Sequence, residues 1–184
     1  ASVPTIVAVN SGAGGGTEVL ARVDLVATWI DTVVSQNGGY DSAGDGGADA
    51  MTPDAMAPDA TLLAIEINPG FCDLIRETID DPRLIVHEGS AADIADALAK
   101  HDLGAPDVVL SGIPFSTMPR ELGLAILRSV KESLAPGGRF VAYQFRDVVH
   151  TLGKQVFGAA DVQLELLNVP PMRVYRWDMP TGSR

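Results

Sequence analysis

The chain is short of several things, and each shortage excludes something. Cys72 is its only cysteine, so no intrachain disulfide can form, which suits a reducing compartment. Basic residues number 13 against 24 acidic ones, a formal net charge of −11, and the longest basic neighbourhood is RVYR at 173–176. A surface of that sign repels phosphate backbones, so nucleic acid is not an expected partner. No apolar run approaches the roughly 18 residues that a membrane-spanning helix needs, and no secretory signal is read. The three histidines (His87, His101, His150) have neither metal-ligand spacing nor cysteine partners, so no metal site is expected. Together these absences point to a cytoplasmic protein. The chain opens ASVPTIVAV, without a leading Met and with almost no lead-in to its first apolar stretch, and is expected to be trimmed ahead of that stretch.

What is present is a globular composition. The 184 residues are 46% hydrophobic, enough for a single domain spanning 1–184 with a substantial core. Apolar stretches of strand length alternate with stretches of helical period. Strands are predicted at 4–10, 61–67, 83–89, 106–112 and 139–145, and helices from Thr17 to about 37, then at 70–79, 90–101, 119–134 and 146–157. Residues 161–168 and 173–179 alternate at period two and read as a terminal antiparallel hairpin. Five βα units and a hairpin predict an α/β fold: a seven-stranded, mostly parallel sheet covered on both faces, with right-handed crossovers. Residues 35–60 break the rhythm. They are rich in Gly, Ala, Asp and Pro, with five aspartates and no basic residue, and read as an insertion or loop. A lid or a partner site is the other reading of that segment.

Ligands of such sheets bind beyond the carboxyl ends of the strands, so the residues there carry the functional reading. After the first strand comes NSGAGGG, with Gly12, Gly14 and Gly16 spaced G-x-G-x-G. Such a turn can present backbone N–H groups to a ligand, and it can equally be a plain turn. The dinucleotide pattern G-x-G-x-x-G fails, because position 17 is Thr. After the second strand stands Glu66 in LLAIEINP, a carboxylate suited to the two hydroxyls of a ribose, or else merely an acid at a strand end. Ser90 follows the third strand and fits a helix N-cap. The fourth strand ends in LSGIPFST (110–117), a stiff corner in which Pro114 cannot extend a ladder and Gly112 lets another backbone or a ligand approach.

LLAIEINPGFCDLI, VVLSGIPFSTMPRELGLAIL, SLAPGGRFVAYQF and LLNVPPMRVYRW together resemble the class I S-adenosylmethionine-dependent methyltransferases, most of all the bacterial phospholipid N-methyltransferases. The resemblance covers about residues 5–179. It implies a Rossmann-like methyltransferase fold and S-adenosyl-L-methionine as cofactor. It implies a cofactor loop of Asn10, Ser11, Gly12, Ala13 and Gly14, with Glu66 and Ile67 at the ribose and Ser90 and Ala91 flanking the adenine. Ser111, Gly112, Ile113, Pro114 and Phe115 would line the place of methyl transfer. The implied acceptor is a lipid headgroup amine of the phosphatidylethanolamine type or a small soluble amine, with peripheral membrane contact.

The chain departs from the family pattern at three positions. Ala8 replaces an acidic residue, Asn10 a glycine, and Ser90 an aspartate that accepts from the adenine amino group. Each lost charge-assisted hydrogen bond is worth roughly 1.5–3 kcal/mol. These losses raise an alternative, a non-catalytic relative that keeps the fold as a binding protein. The related ribosomal RNA adenine methyltransferases carry an Asn whose side chain accepts from the target amine. Gly112 stands there here, and with the acidic charge this makes base methylation the least expected activity.

Overall fold

The computed structural model describes residues 4–10, 59–144, 146–165 and 172–182. The helix expected from Thr17, and all of the 35–60 segment except Asp59 and Ala60, lie outside the described residues.

Seven strands form one sheet: β1 (Thr5–Asn10), β2 (Thr61–Glu66), β3 (Leu84–Glu88), β4 (Val108–Ser111), β5 (Arg139–Gln144), β6 (Asp161–Glu165) and β7 (Met172–Asp178). Their order is β3-β2-β1-β4-β5-β7-β6. The first five are parallel, and β7 runs antiparallel between β5 and β6. The terminal hairpin therefore closes the sheet with its second strand inside and its first at the edge. The order reverses between β1 and β4, which makes the gap beyond their carboxyl ends the switch point.

The strands are apolar because both faces are buried. Val7, Val9, Leu63, Ile65, Val109, Phe140, Ala142, Tyr175 and Trp177 face one layer of the core. Ile6, Leu110 and Val141 point the other way, packed with Ala60, Leu62, Val108 and Val174. Helices α1 (Pro69–Thr78), α2 (Ile94–Lys100), α3 (Arg120–Ser133) and α4 (Val148–Val156) follow β2 to β5 in turn. α2, α3 and α4 bury Ile94, Leu98, Ile126, Leu127, Val130, Val149 and Leu152 in the first layer.

Two local details differ from the expectation. The helix expected at 90–101 is a 3-10 turn, Ala91–Asp93, followed by the shorter α2. Ser90 does cap, but it caps the turn: its Oγ accepts from Ala92 N at 3.1 Å. The other described elements end within a residue or two of expectation, except that the strand expected at 161–168 is described only as Asp161–Glu165, its last three residues lying outside the described residues.

The antiparallel end of the sheet is held by aromatic packing. Phe140, Phe157 and Trp177 lie with ring centroids 5.3–5.6 Å apart, and the indole N–H of Trp177 donates to the Gly158 carbonyl at 3.1 Å. α4 approaches this cluster at Gly153, where a Cβ would stand 2.4 Å from the Trp177 ring. The helix can lie that close only because the position has no side chain.

Candidate active site

Because β1 to β5 are parallel, Asn10, Glu66, Ser90, Ser111 and Gln144 all fall at the carboxyl edge of the sheet. Register brings the first of them together. Asn10 pairs with Glu66 across β1 and β2, and Val9 pairs with Ser111 across β1 and β4. Ser11, Gly12, Ala13 and Gly14 lie outside the described residues.

Glu66 is fully buried, at 0% exposure, at the end of the apolar run Leu62–Ile65. Its Oε1 accepts from the Asn68 backbone N–H at 2.7 Å. Its backbone carbonyl accepts from Gly89 N at 3.0 Å and from the Cys72 thiol at 3.4 Å. Asn68 in turn caps α1: its Oδ1 accepts from Gly70 N and Phe71 N, and Pro69 fills the first helical position. The carboxylate is therefore oriented by the same short loop that starts the helix. Sequence reasoning missed Asn68, although Asn before Pro at a strand-to-helix junction is the usual sign of a cap. Burial pushes the Cys72 thiol up, with the nearby carboxylates adding and Arg76 opposing.

Beside Glu66, Ile67 is 53% exposed, a large apolar side chain turned out from the sheet edge. Ala91 is buried and Ser90 half-buried, in the turn that follows β3. A buried acceptor, an exposed apolar side chain and a tight turn along one edge fit the ribose and adenine of an adenosine cofactor. The carboxylate accepts hydroxyl hydrogens, and the apolar surface suits the ring.

The corner after β4 is built from backbone. Gly112 N donates to Val9 O at 3.2 Å, Ile113 N to Ser111 Oγ at 3.3 Å, and Phe115 N to Ile113 O at 2.9 Å. Ser111, Ile113 and Phe115 are buried, each 1% exposed, and the Phe115 ring packs in the core against α3 at Gly123. Gly112 is exposed and Pro114 partly so. The corner thus turns a glycine backbone and a proline ring outward, while its larger side chains anchor it from below. A second residue that sequence reasoning missed, Gln144, reaches this corner from β5: its Nε2 donates to the Ile113 carbonyl.

The histidines lie elsewhere. His87 on β3 meets His101 at the end of α2, with ring nitrogens 3.1 Å apart, and burial, with Lys100 and His101 adding, holds His87 below its usual value. His150 stacks on Tyr175.

No protein-family model matches the chain. An ornithine lipid N-methyltransferase of Singulisphaera acidiphila is 30% identical over 135 residues, covering 72% of this chain and 70% of that protein. Among solved structures, the N-methyltransferase NodS from Bradyrhizobium japonicum WM9 superposes with a TM-score of 0.59 at 11% identity, covering 97% of this chain and 87% of its own. The same protein in complex with S-adenosyl-L-homocysteine gives 0.57, over 97% of this chain and 79% of that one. A precorrin-6y C5,15-methyltransferase from Geobacter metallireducens GS-15 gives 0.53 at 15% identity, over 95% and 80%. The structural likenesses carry the fold, and the lipid enzyme carries the relationship. The chain belongs to the class I S-adenosylmethionine-dependent methyltransferases, in the family that includes this lipid N-methyltransferase, and its cofactor is S-adenosyl-L-methionine.

Proposed function

We propose that the chain N-methylates the amine of a lipid headgroup, and that one domain, residues 1–184, does so. The carrying observation is the corner after β4. It offers an acceptor amine an exposed glycine backbone beside a proline ring, with no acceptor side chain at position 112. A planar base amine gains from a second, side-chain acceptor, whereas a flexible alkyl amine needs room and one carbonyl. The relationship to an ornithine lipid N-methyltransferase supports the same choice. Phosphatidylethanolamine and an amino-acid-headed lipid both present such an amine.

In this reading Glu66 holds the ribose hydroxyls and Ile67 lies along the adenine. Ser90 and Ala91 flank the adenine, and Asn10 to Gly14 serve as the cofactor loop that the family resemblance implies. S-adenosylmethionine supplies a methyl group on a positively charged sulfur, which leaves without acid catalysis. The protein's contribution is therefore proximity and orientation. Ser111, Ile113 and Phe115 set the corner, the Gly112 carbonyl accepts an N–H of the neutral amine, and the nitrogen lone pair is left for the methyl carbon. Pro114 walls the approach. The headgroup ammonium gives one proton to solvent before attack, and the methylated product keeps its positive charge as a secondary ammonium, so no residue is assigned as a general base.

The test is transfer of labelled methyl from S-adenosylmethionine to vesicles containing phosphatidylethanolamine or ornithine lipid, with free ethanolamine and ornithine in parallel. Label in the lipid fraction is expected. Label in the free amines alone would move the reading to a soluble acceptor. Cofactor binding in calorimetry without transfer to any of them would favour a binding protein.

A further inference from the structure

We propose that Gln144 is a positioning residue. Its side-chain amide grips the Ile113 carbonyl and so fixes the corner after β4 in the form that leaves the Gly112 carbonyl to receive the acceptor amine. The second half of this statement rests on the amine reading above.

Gln144 is the last residue of β5 and only 6% exposed. The β4–β5 ladder ends at Ser111 opposite Ala142, so Gln144 lies two residues further along the same face as Ala142, past the last ladder pair. Phe140 and Ala142 on that face are core residues, and a buried primary amide among them costs free energy unless it is bonded. Its Nε2 donates to Ile113 O, a contact across 31 residues of chain. The same oxygen accepts from Phe115 N, so both of its lone pairs are engaged and it faces inward.

The corner needs such a grip. Pro114 has no N–H, so the ladder cannot continue through it. Ser111 Oγ holds Ile113 N, and Val9 O holds Gly112 N. With Gln144 added, the turn is tied to β1, β4 and β5 at once. Among the described residues no hydrogen bond ends on the Gly112 carbonyl, and Gly112 is exposed. The effect is to commit one carbonyl of the corner and present its neighbour. An apolar residue of similar length at 144 would pack as well, so the amide matters for its grip and not for its volume.

The experiment compares Gln144→Leu and Gln144→Glu with the parent chain. It reads S-adenosylmethionine affinity by calorimetry, and turnover on phosphatidylethanolamine and ornithine-lipid vesicles across pH. It also reads hydrogen exchange of the Phe115 amide by NMR. Gln144→Leu should bind the cofactor within about twofold of the parent and exchange Phe115 faster. It should lose roughly ten- to a hundredfold in turnover at saturating acceptor, the usual size of an effect of misplacement by about an ångström. Gln144→Glu can donate to Ile113 O only while protonated. Its turnover relative to the parent should therefore fall as pH rises, while the Leu ratio stays flat. A Leu variant with parental turnover, or a flat Glu ratio, overturns the proposal. If the parent methylates no amine, the functional reading fails by itself, and the exchange arm still decides the grip: an unchanged Phe115 rate in the Leu variant refutes it.

Discussion

The proposed cofactor site turns on a single residue, Glu66. It is fully buried, yet it stays a useful acceptor because Asn68 N holds one of its oxygens and sets the plane of the carboxylate. Glu66→Gln keeps the shape and replaces one acceptor oxygen by a donor, which cannot serve a second ribose hydroxyl. Hydrogen bonds to charged groups are worth roughly 1.5–3 kcal/mol, so S-adenosylmethionine should bind about ten- to a hundredfold more weakly. Calorimetry checks this, with melting temperature as the control for folding. Unchanged affinity would remove Glu66 from the site. Asp81 gives a second residue-scale prediction. The Arg83 side chain, and then its backbone N–H, hold the Asp81 carboxyl down from 3.8 to about 2. A depressed carboxyl adds stability above its unfolded value, and that stability is lost as pH falls through the folded one. Asp81→Asn should therefore destabilise the turn before β3 at neutral pH, and the gap to the parent should close between about pH 4 and pH 2. Asp81 is a quarter exposed, so solvent screening keeps the effect to about 0.5–1 kcal/mol. Urea melts at several pH values would read it, and a gap that does not change with pH would show that the ion pair adds nothing.

At the scale of the element, much was legible because the causes are local. β1, β2 and β4 are short, mainly apolar runs since both faces of a parallel sheet are covered. α1 and α3 show their apolar stripes directly, whereas the Asn68 cap of α1 was missed and α3 has Pro119 at its N-cap position with no side-chain cap. The 90–101 segment was harder. Ser90 looks like the cap of a long helix, yet its hydroxyl closes a tight turn onto Ala92 N, and α2 begins only after Asp93. The order of the hairpin strands was not legible, because alternation shows that β6 and β7 pair but not which of them lies against β5. Gln144 was hidden for a related reason: its partner is 31 residues away and adjacent only once β4 and β5 are neighbours. Contact of helix with sheet is likewise a product of assembly, and Gly153 tests it. Alanine there would gain roughly 1 kcal/mol of helix propensity over glycine. Its Cβ, however, would stand 2.4 Å from a Trp177 ring that Phe140, Phe157 and the Gly158 carbonyl hold in place. Overpacking costs typically 1–3 kcal/mol, so Gly153→Ala should be net destabilising by about 1 kcal/mol, and Gly153→Val by more. Adding Trp177→Leu should erase the penalty of Gly153→Ala. A double-mutant cycle of melts measures the coupling, and simple additivity would show that the helix relaxes away from the ring.

For the whole molecule, the question is how a chain of net charge −11 would meet a lipid surface. Among the described residues no helix is long and apolar enough to cross a membrane. The exposed apolar side chains of β6, Val162 and Leu164, alternate along an edge strand with Asp161 and Gln163, which makes that edge a poor membrane face. The corner and Glu66 share the carboxyl edge of the sheet, so a lipid amine would have to reach the protein from that side while the rest of the surface is repelled by anionic headgroups. Such repulsion reaches about 8 Å at physiological ionic strength and shortens as salt rises. If the acceptor is a lipid, raising NaCl from about 50 to about 300 mM should increase the initial rate on vesicles rich in anionic lipid. On vesicles with only zwitterionic lipid the rate should stay nearly constant, because no long-range repulsion is there to be screened. A soluble amine acceptor predicts little salt dependence in either case. A rate that instead falls with salt on anionic vesicles would mean that a local basic patch docks against the net charge. RVYR at 173–176 on β7 would then be the first place to substitute, since it holds the densest positive charge of the chain and begins at the same sheet edge.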